Sequence, residues 1–393
     1  MILGIDLSNI RAGGGVTHIS EVLRYGRPVD FGFKQVVAWG STNTLSSLCD
    51  QLWLGKAHAP ILNRSLPWRI YWQQIILPKL LKQNQCNLIF SPGGTLPQHI
   101  SVPTVTMSQN MLPFEPKEAA RYKAVSMRAR FKLLNIVQGM SFQRADGVVF
   151  LTEYAKKTVY AQLKKKPLQT AIVPHGISKD FFSPPRAQKP LDSYSLANPF
   201  RLLYVSIVDV YKHQWHVAEA VAVLRNKGFP VVIDFVGSSY PQAIRRFKNT
   251  VYELDTNGSF ITYKDFIPYN ELPKVYHQAD AFAFASSCEN MPNILLEAMA
   301  AGLPIACSNR GPMPEVLGNA GVYFDPEYPD QIVDALAMLL KDHGLRARLA
   351  QEAYNRAQEY SWERCADETF SFLAEVIKVN KETTKCLKAK HYS

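Results

Sequence analysis

Short, continuously apolar runs alternate with longer helical stretches, and this alternation begins twice along the chain. ILGID (2–6), KQVVAW (34–39), NLIFSP (87–92), TVTMS (104–108), DGVVFLT (146–152) and TAIVP (170–174) read as strands. Unbroken apolarity is the mark of strands covered on both faces, as in a parallel sheet with crossover helices. Helices are expected between them over 16–25, 68–83, 115–143 and 153–163. Residues 184–199, PPRAQKPLDSYSLANP, carry proline and serine with no apolar period and interrupt the rhythm. It restarts with RLLYVSI (201–207), VVIDFVG (231–237), FITYKDF (260–266), AFAFASS (281–287) and PIACS (304–308). Helices are expected over 214–227, 240–254, 270–278 and 292–301, with a helical end over roughly 330–378. At 393 residues the chain exceeds one ordinary core. The expectation is an α/β protein of two Rossmann-like domains facing a central cleft. The first spans 1–183, a linker 184–199, the second 200–360, and a C-terminal helix with a basic tail 361–393.

Charge divides the chain unevenly. Residues 1–180 carry 22 Lys and Arg against 9 Asp and Glu, whereas the rest carries 22 against 24. A cationic half meets an anionic partner or serves as a solubilising surface. No nucleic-acid-binding motif is present, so nucleic acid is not expected as a partner. The six cysteines form no C-x-x-C pair, consistent with a reduced, cytoplasmic protein. No uncharged apolar run reaches the roughly 20 residues that span a bilayer.

The densest chemistry lies in CENMPNILLEAMAAGLPI (288–305), where Glu289 and Glu297 flank a turn and a helix start. Pro292 suits a first helical position, Asn290 a cap, and Gly302 with Pro304 a helix end. Strand, loop and helix in this order place the two carboxylates at the carboxyl end of a parallel strand, where open α/β sheets bind ligands. A helix N-terminus attracts phosphate, and carboxylates accept hydrogen bonds from hydroxyls. Both carboxylates are expected to face one crevice, and a nucleotide sugar carries both kinds of group. There is no G-x-x-x-x-G-K-[ST], no G-x-G-x-x-G and no D-x-D. ATPase and dehydrogenase chemistry therefore lack their usual motifs. Among nine histidines no H-x₃-H pair occurs, and no metal site is expected; His213 and His216 are expected on a helix face toward solvent or the cleft.

The stretch CENMPNILLEAMAAGLPIACSNRGPMPEVLGNAGVYFDP resembles the nucleotide-binding signature of glycosyltransferase family 4, the retaining GT-B enzymes. The resemblance rests on E-x₇-E, A-x-G-x-P, G-x-x-x-E beginning at Gly311, and a later G-x-x-x-x-P. NIRAGGGVTHI, VPHGI, VDVYKHQ and SWERCADETF extend it over most of the chain. It implies a GT-B fold and transfer of a hexose from a UDP- or GDP-linked sugar to a glycan or lipid-linked glycan. O-antigen or capsule-type polysaccharide synthesis is the implied setting, with neither cofactor nor catalytic metal. Glu297 would hold the ribose hydroxyls and Glu289 the donor sugar. Asn290, Met291, Pro292, Asn293 and Ile294 would line the sugar and diphosphate with Gly311, while Lys212 would neutralise the diphosphate. Gly13, Gly14 and Gly15, with Gln109 and Asn110, would meet donor or acceptor in the first domain. Two positions depart from the pattern. The family arginine five residues before the lysine is Ile207 here, and QNMLP stands where H-D-x-x-P is usual. These departures keep open a catalytically degenerate sugar- or nucleotide-binding protein. Epimerases sharing the architecture lack the E-x₇-E context.

Segment 115–143 is expected as one amphipathic helix. Lys117, Arg121, Arg128 and Lys132 would form a cationic stripe, with Tyr122, Ala129, Leu133, Ile136, Val137 and Met140 on another face. Similar enzymes carry a membrane-facing surface in the first domain. The expectation is a peripheral contact with an anionic membrane, on the inner face, through this segment.

Overall fold

A computed structural model describes residues 1–11 and 13–391, with side chains to Glu382. Ala12, the side chains of 383–391 and the last two residues of the basic tail lie outside the described residues. The chain forms two compact units. The first comprises residues 1–114, 126–176 and 361–393, and the second 115–125 and 177–360.

The first unit holds a seven-stranded sheet in the order β3-β2-β1-β4-β5-β6-β7. Its strands are β1 (Ile2–Asp6), β2 (Gln35–Gly40), β3 (Leu54–His58), β4 (Leu88–Ser91), β5 (Thr104–Met107), β6 (Gly147–Phe150) and β7 (Gln169–Ile172). The second holds a six-stranded sheet, β10-β9-β8-β11-β12-β13. These are β8 (Phe200–Val205), β9 (Val231–Val236), β10 (Ile261–Lys264), β11 (Ala281–Phe284), β12 (Ile305–Ser308) and β13 (Val322–Phe324). Every pairing is parallel. The central strands are buried throughout, in keeping with their unbroken apolar sequence. Edge strands β3 and β13 were not foreseen. LGKAH carries glycine and lysine, and VYF is three residues long, so neither gives a run above its surroundings.

Helices are α1 (Gly14–Tyr25), α2 (Thr42–Ser46), α3 (Leu66–Tyr71), α4 (Leu77–Gln83), α5 (Pro116–Ala120), α6 (Val125–Arg144) and α7 (Glu153–Tyr160). The later ones are α8 (Gln214–Asn226), α9 (Pro241–Leu254), α10 (Leu272–Gln278), α11 (Asn293–Ala300), α12 (Met313–Leu317), α13 (Pro329–Lys341), α14 (His343–Ala357) and α15 (Trp362–His391). Between α3 and α4 the helix widens into a π-turn over Trp72–Ile76. Pro78 follows at once, and its missing N–H is what a regular helix there could not accommodate.

The single helix expected over 115–143 is two. α5 ends at Ala120 and α6 begins at Val125, so the stripe from Lys117 and Arg121 to Arg128 and Lys132 does not form. The break has a packing cause. Tyr122 is buried in the second unit, its hydroxyl 3.0 Å from Asp209 Oδ2 and its ring 5.4 Å from that of Tyr240. On α6, Leu133, Ile136, Val137 and Met140 are exposed rather than core-facing.

Residues 184–199 belong to the second unit and are tied down by one arginine. Arg346, fully buried, donates from Nε to Gln188 Oε1 at 3.0 Å and from Nη2 to the Lys189 carbonyl, with its guanidinium over the Phe200 ring. α15 returns to the first unit, where Phe370 lies against Phe31, Phe33 and Trp53.

Candidate functional site

In the second sheet the strand order reverses direction between β8 and β11. The loops leaving these two neighbouring strands lie at their carboxyl ends, the place where doubly wound sheets take ligands. The loop after β8 carries Lys212 and the loop after β11 carries Glu289, which meet in a close ion pair. Their side chains are only 6% and 14% exposed, so each charge relies on the other. The Lys212 ammonium also lies 5.1 Å from the Tyr211 ring centre and 5.2 Å from that of Phe284. The Tyr204 hydroxyl fixes both loops: it donates to the Lys212 carbonyl and accepts from Ala285 N–H at 3.2 Å.

The backbone of the first loop is set by a close approach. Gly237, at φ +139°, would place a Cβ 2.2 Å from the Ser206 carbonyl oxygen. Gly237→Ala is therefore expected to cost about 3 kcal/mol, from left-handed strain and a backbone clash. A urea melt checks this, with a lowered midpoint at unchanged slope.

Next in the loop, His213 adopts the left-handed conformation (φ 49°) at the start of α8. It is buried, with Nε2 3.0 Å from Ser287 Oγ. Burial, then the charge of Arg121 and its neighbours, pushes its pKa down to about 2, so the ring is neutral. His216 stacks on it and sits 2.8 Å through Nδ1 from the Pro326 carbonyl. The sequence pointed these two rings toward solvent or the cleft; packing instead encloses His213. Among the described residues no group of three or more His, Cys, Asp or Glu is arranged to hold a metal ion.

α11 begins at Asn293, with Pro292 as the residue before it and no side chain capping it. Asn290 does not cap this helix, contrary to expectation, because Pro292 occupies the cap position. Asn293 Oδ1 is shut from solvent and without a hydrogen-bond partner. Met291 and Asn290 are buried beside it, while Pro292 is buried and Ile294 half-buried. Glu297 lies a turn further on, 5% exposed, accepting from the Tyr276 hydroxyl at 3.0 Å. Burial raises its pKa to about 7 against the opposing hydrogen bonds from Tyr276 and Tyr269. The two glutamates of the motif thus have different partners: Glu289 an ammonium, Glu297 phenols. Gly311 takes φ +60° beside Arg310, whose guanidinium lies 2.5 Å from Asp325.

Segment 115–125 adds residues that no local motif announced. Glu118 accepts from Ser287 Oγ, and Arg121 bridges Glu118 at 2.8 Å and Glu327 at 2.6 Å. These pairings join positions up to 206 residues apart, beyond any sequence window. Ile207, where the resemblance expects arginine, is 40% exposed.

In the first unit, Gly15 and Gln109 come together: a Cβ on Gly15 would stand 2.8 Å from Gln109 Oε1. Gly13 takes φ +68° in open space, and Gly14 begins α1. Asn110 Oδ1 accepts from Leu112 N–H at 3.1 Å.

Residues 192–356 match the family model of glycosyl transferases group 1. This part of the chain is similar to group 1 glycosyltransferases. The match spans both loops and α11. The chain is 26% identical over 268 residues to the O-antigen chain mannosyltransferase B of Escherichia coli, covering 66% of this chain and 65% of that protein. It is 26% identical over 240 residues to spore coat protein SA of Bacillus subtilis, covering 57% and 63%. The chain thus spans just under two thirds of the length of these relatives. Its fold resembles sucrose-phosphate synthase from Thermosynechococcus elongatus (TM-score 0.72, 16% identity, 96% and 100% covered). It also resembles WaaG, a glycosyltransferase involved in lipopolysaccharide biosynthesis (TM-score 0.68, 16% identity, 94% and 99% covered). The fold of the chain is GT-B.

Proposed function

We propose that this protein transfers a hexose, with retention, from a nucleoside-diphosphate sugar to a glycan or lipid-linked glycan acceptor in cell-surface polysaccharide synthesis. The observation that carries the reading is the buried Lys212–Glu289 pair beside the uncapped start of α11, at the switch point of the second sheet. An ammonium has three donors, so Lys212 keeps contact with Glu289 while turning another N–H to the diphosphate. As the glycosidic bond breaks, charge builds on the leaving nucleoside diphosphate. A fixed cation and free backbone N–H groups there stabilise the transition state without reorganising. In this reading Glu289 orients Lys212 and accepts a donor-sugar hydroxyl, Asn290 to Ile294 and Gly311 line sugar and diphosphate, and Glu297 accepts from the ribose. Gly13 to Gly15, Gln109 and Asn110 meet donor or acceptor. The chemistry proposed needs neither metal nor cofactor. The relatives' names, an O-antigen mannosyltransferase among them, favour a surface glycan as product. A cytoplasmic setting with peripheral contact to an anionic membrane is favoured by α6, which exposes Leu133, Ile136 and Met140 together with Arg128.

The test is a donor screen. UDP- and GDP-sugars are offered to the purified protein while nucleoside diphosphate release is followed and saturation-transfer NMR reports binding. One donor is expected to bind and be slowly hydrolysed. A folded protein that binds none of them is instead the degenerate member that exposed Ile207 would suggest.

A further inference from the structure

Three side chains from residues 115–125 each take hold of a different loop at the carboxyl ends of the second sheet. Tyr122 donates to Asp209 Oδ2 at 3.0 Å, in the loop after β8. Glu118 accepts from Ser287 Oγ, in the loop after β11. Arg121 grips Glu118 twice, from Nε to Oε2 at 2.8 Å and from Nη2 to Oε1 at 3.1 Å, and reaches Glu327 beyond β13 at 2.6 Å. A guanidinium fork fixes direction as well as charge. Ser287 is the junction of these contacts. Its hydroxyl has one hydrogen, which goes to the nearer acceptor, Glu118, rather than to the Tyr211 carbonyl at 3.2 Å. The oxygen therefore accepts from His213 Nε2, 3.0 Å away. His213 then leaves Nδ1 bare, and that atom is shut from solvent with no hydrogen-bond partner. The Ser287 N–H also donates to the Tyr211 carbonyl, at 2.8 Å. Ser287 thus holds the residues on both sides of Lys212 and lies two positions before Glu289. His213 keeps φ at 49°, a conformation that a residue with a side chain holds only where its surroundings enforce it. The turn follows Lys212 directly, and Lys212 meets Glu289.

We propose that Glu118 is a positioning residue for the transfer reaction: acting through Ser287 and His213, it sets the turn that aims Lys212 at the departing diphosphate. Arg121 fixes the Glu118 carboxylate in turn. This rests on the glycosyltransferase reading and adds to it residues that touch neither donor nor acceptor. The chain of bonds runs one way, from His213 Nε2–H to the Ser287 oxygen and from the Ser287 O–H to Glu118, so losing either end frees the hydroxyl to turn to Tyr211. A cation misplaced by about 1 Å at a reacting centre costs far more in rate than in ground-state binding.

The test uses the full chain and the donor selected by the screen, with each variant first melted in urea to establish that it folds. Glu118→Ala and Ser287→Ala are each expected to lower kcat for nucleoside diphosphate release by about tenfold or more, with KM within about twofold of wild type. The double variant is expected to be no slower than the slower single one, because both changes cut the same chain of bonds. Glu118→Gln, whose amide oxygen still accepts from Ser287, is expected to recover most of the rate. If Glu118→Ala fails to fold, Ser287→Ala decides, since it leaves the Glu118–Arg121 pair in place. A folded Ser287→Ala with kcat within about twofold of wild type overturns the proposal, and so do losses that multiply in the double variant. A second readout needs no turnover: trace acetylation with acetic anhydride, followed at each lysine by mass spectrometry. In Ser287→Ala, Lys212 is expected to react about fivefold faster, the worth of one hydrogen bond in local opening, while exposed Lys227 is unchanged. If wild type releases nucleoside diphosphate from no donor, the donor reading fails and the acetylation decides alone. Faster labelling confined to Lys212 then upholds the positioning of its loop, and an unchanged Lys212 overturns it.

Discussion

Lys212→Ala is expected to lower the rate of transfer by about 10²–10³-fold, the size of losing one preorganised charge donor from a transition state. On the proposed reading the rate constant falls more than donor affinity, because a departing diphosphate needs its counter-charge most as it leaves. The same change destabilises the fold. It strands the Glu289 carboxylate in a pocket where it is 14% exposed, at a cost of about 3–5 kcal/mol. These effects separate in the double variant Lys212→Met/Glu289→Leu, which removes both charges and is expected to recover most of the stability without the proposed transfer activity. Denaturant melts and single-turnover transfer on the three proteins provide the check. A double variant that regained activity with stability would show that Lys212 serves only to balance Glu289.

Glu297 should make both stability and nucleotide affinity depend on pH. Its folded pKa is raised from 4.5 to about 7 by burial. The folded state therefore holds a proton that the unfolded chain releases. The stability it contributes is fully present below about pH 4.5 and is lost as pH rises toward 7, by about 3 kcal/mol. Glu297→Gln keeps the shape and removes the titration, so its stability relative to wild type rises across that window and levels off above it. Nucleotide binding runs the other way. An ionised carboxylate accepts hydrogen bonds from two ribose hydroxyls through its two oxygens, whereas in the protonated form one oxygen carries the single O–H and acts as a donor. Affinity for the nucleoside diphosphate should therefore climb as pH passes about 7. Glu297→Ala should lose about tenfold or more at pH 8, the worth of one charged hydrogen bond. Titration calorimetry between pH 5.5 and 8.5 gives both readings. A flat wild-type profile would remove Glu297 from nucleotide recognition.

The two Rossmann-like sheets were legible because their strands are written as unbroken apolar runs, a pattern that burial on both faces imposes locally. AFAFASS and PIACS lie in the sequence as they lie in the sheet, buried at every strand position. The site motif was legible for a related reason. Glu289, Asn293 and Glu297 sit on one loop and the helix it feeds, so chain order alone fixes their neighbourhood. Where a partner comes from elsewhere in the chain, the sequence was silent. Lys212 meets Glu289 across 77 positions and Arg121 meets Glu327 across 206. The helix read through 115–143 shows the limit best. Its periodicity favoured one continuous cationic helix, but burying Tyr122 against Asp209 and Tyr240 within the second unit outweighed local propensity and broke it. The return of α15 to the first unit is a decision of the same kind. Sequence determined which segments are strands, which loops follow them and which residues those loops carry, since hydrophobic period and turn chemistry act over a few residues. Tertiary structure alone decided which charges meet, because that depends on contacts whose free energy exists only once the sheets have assembled.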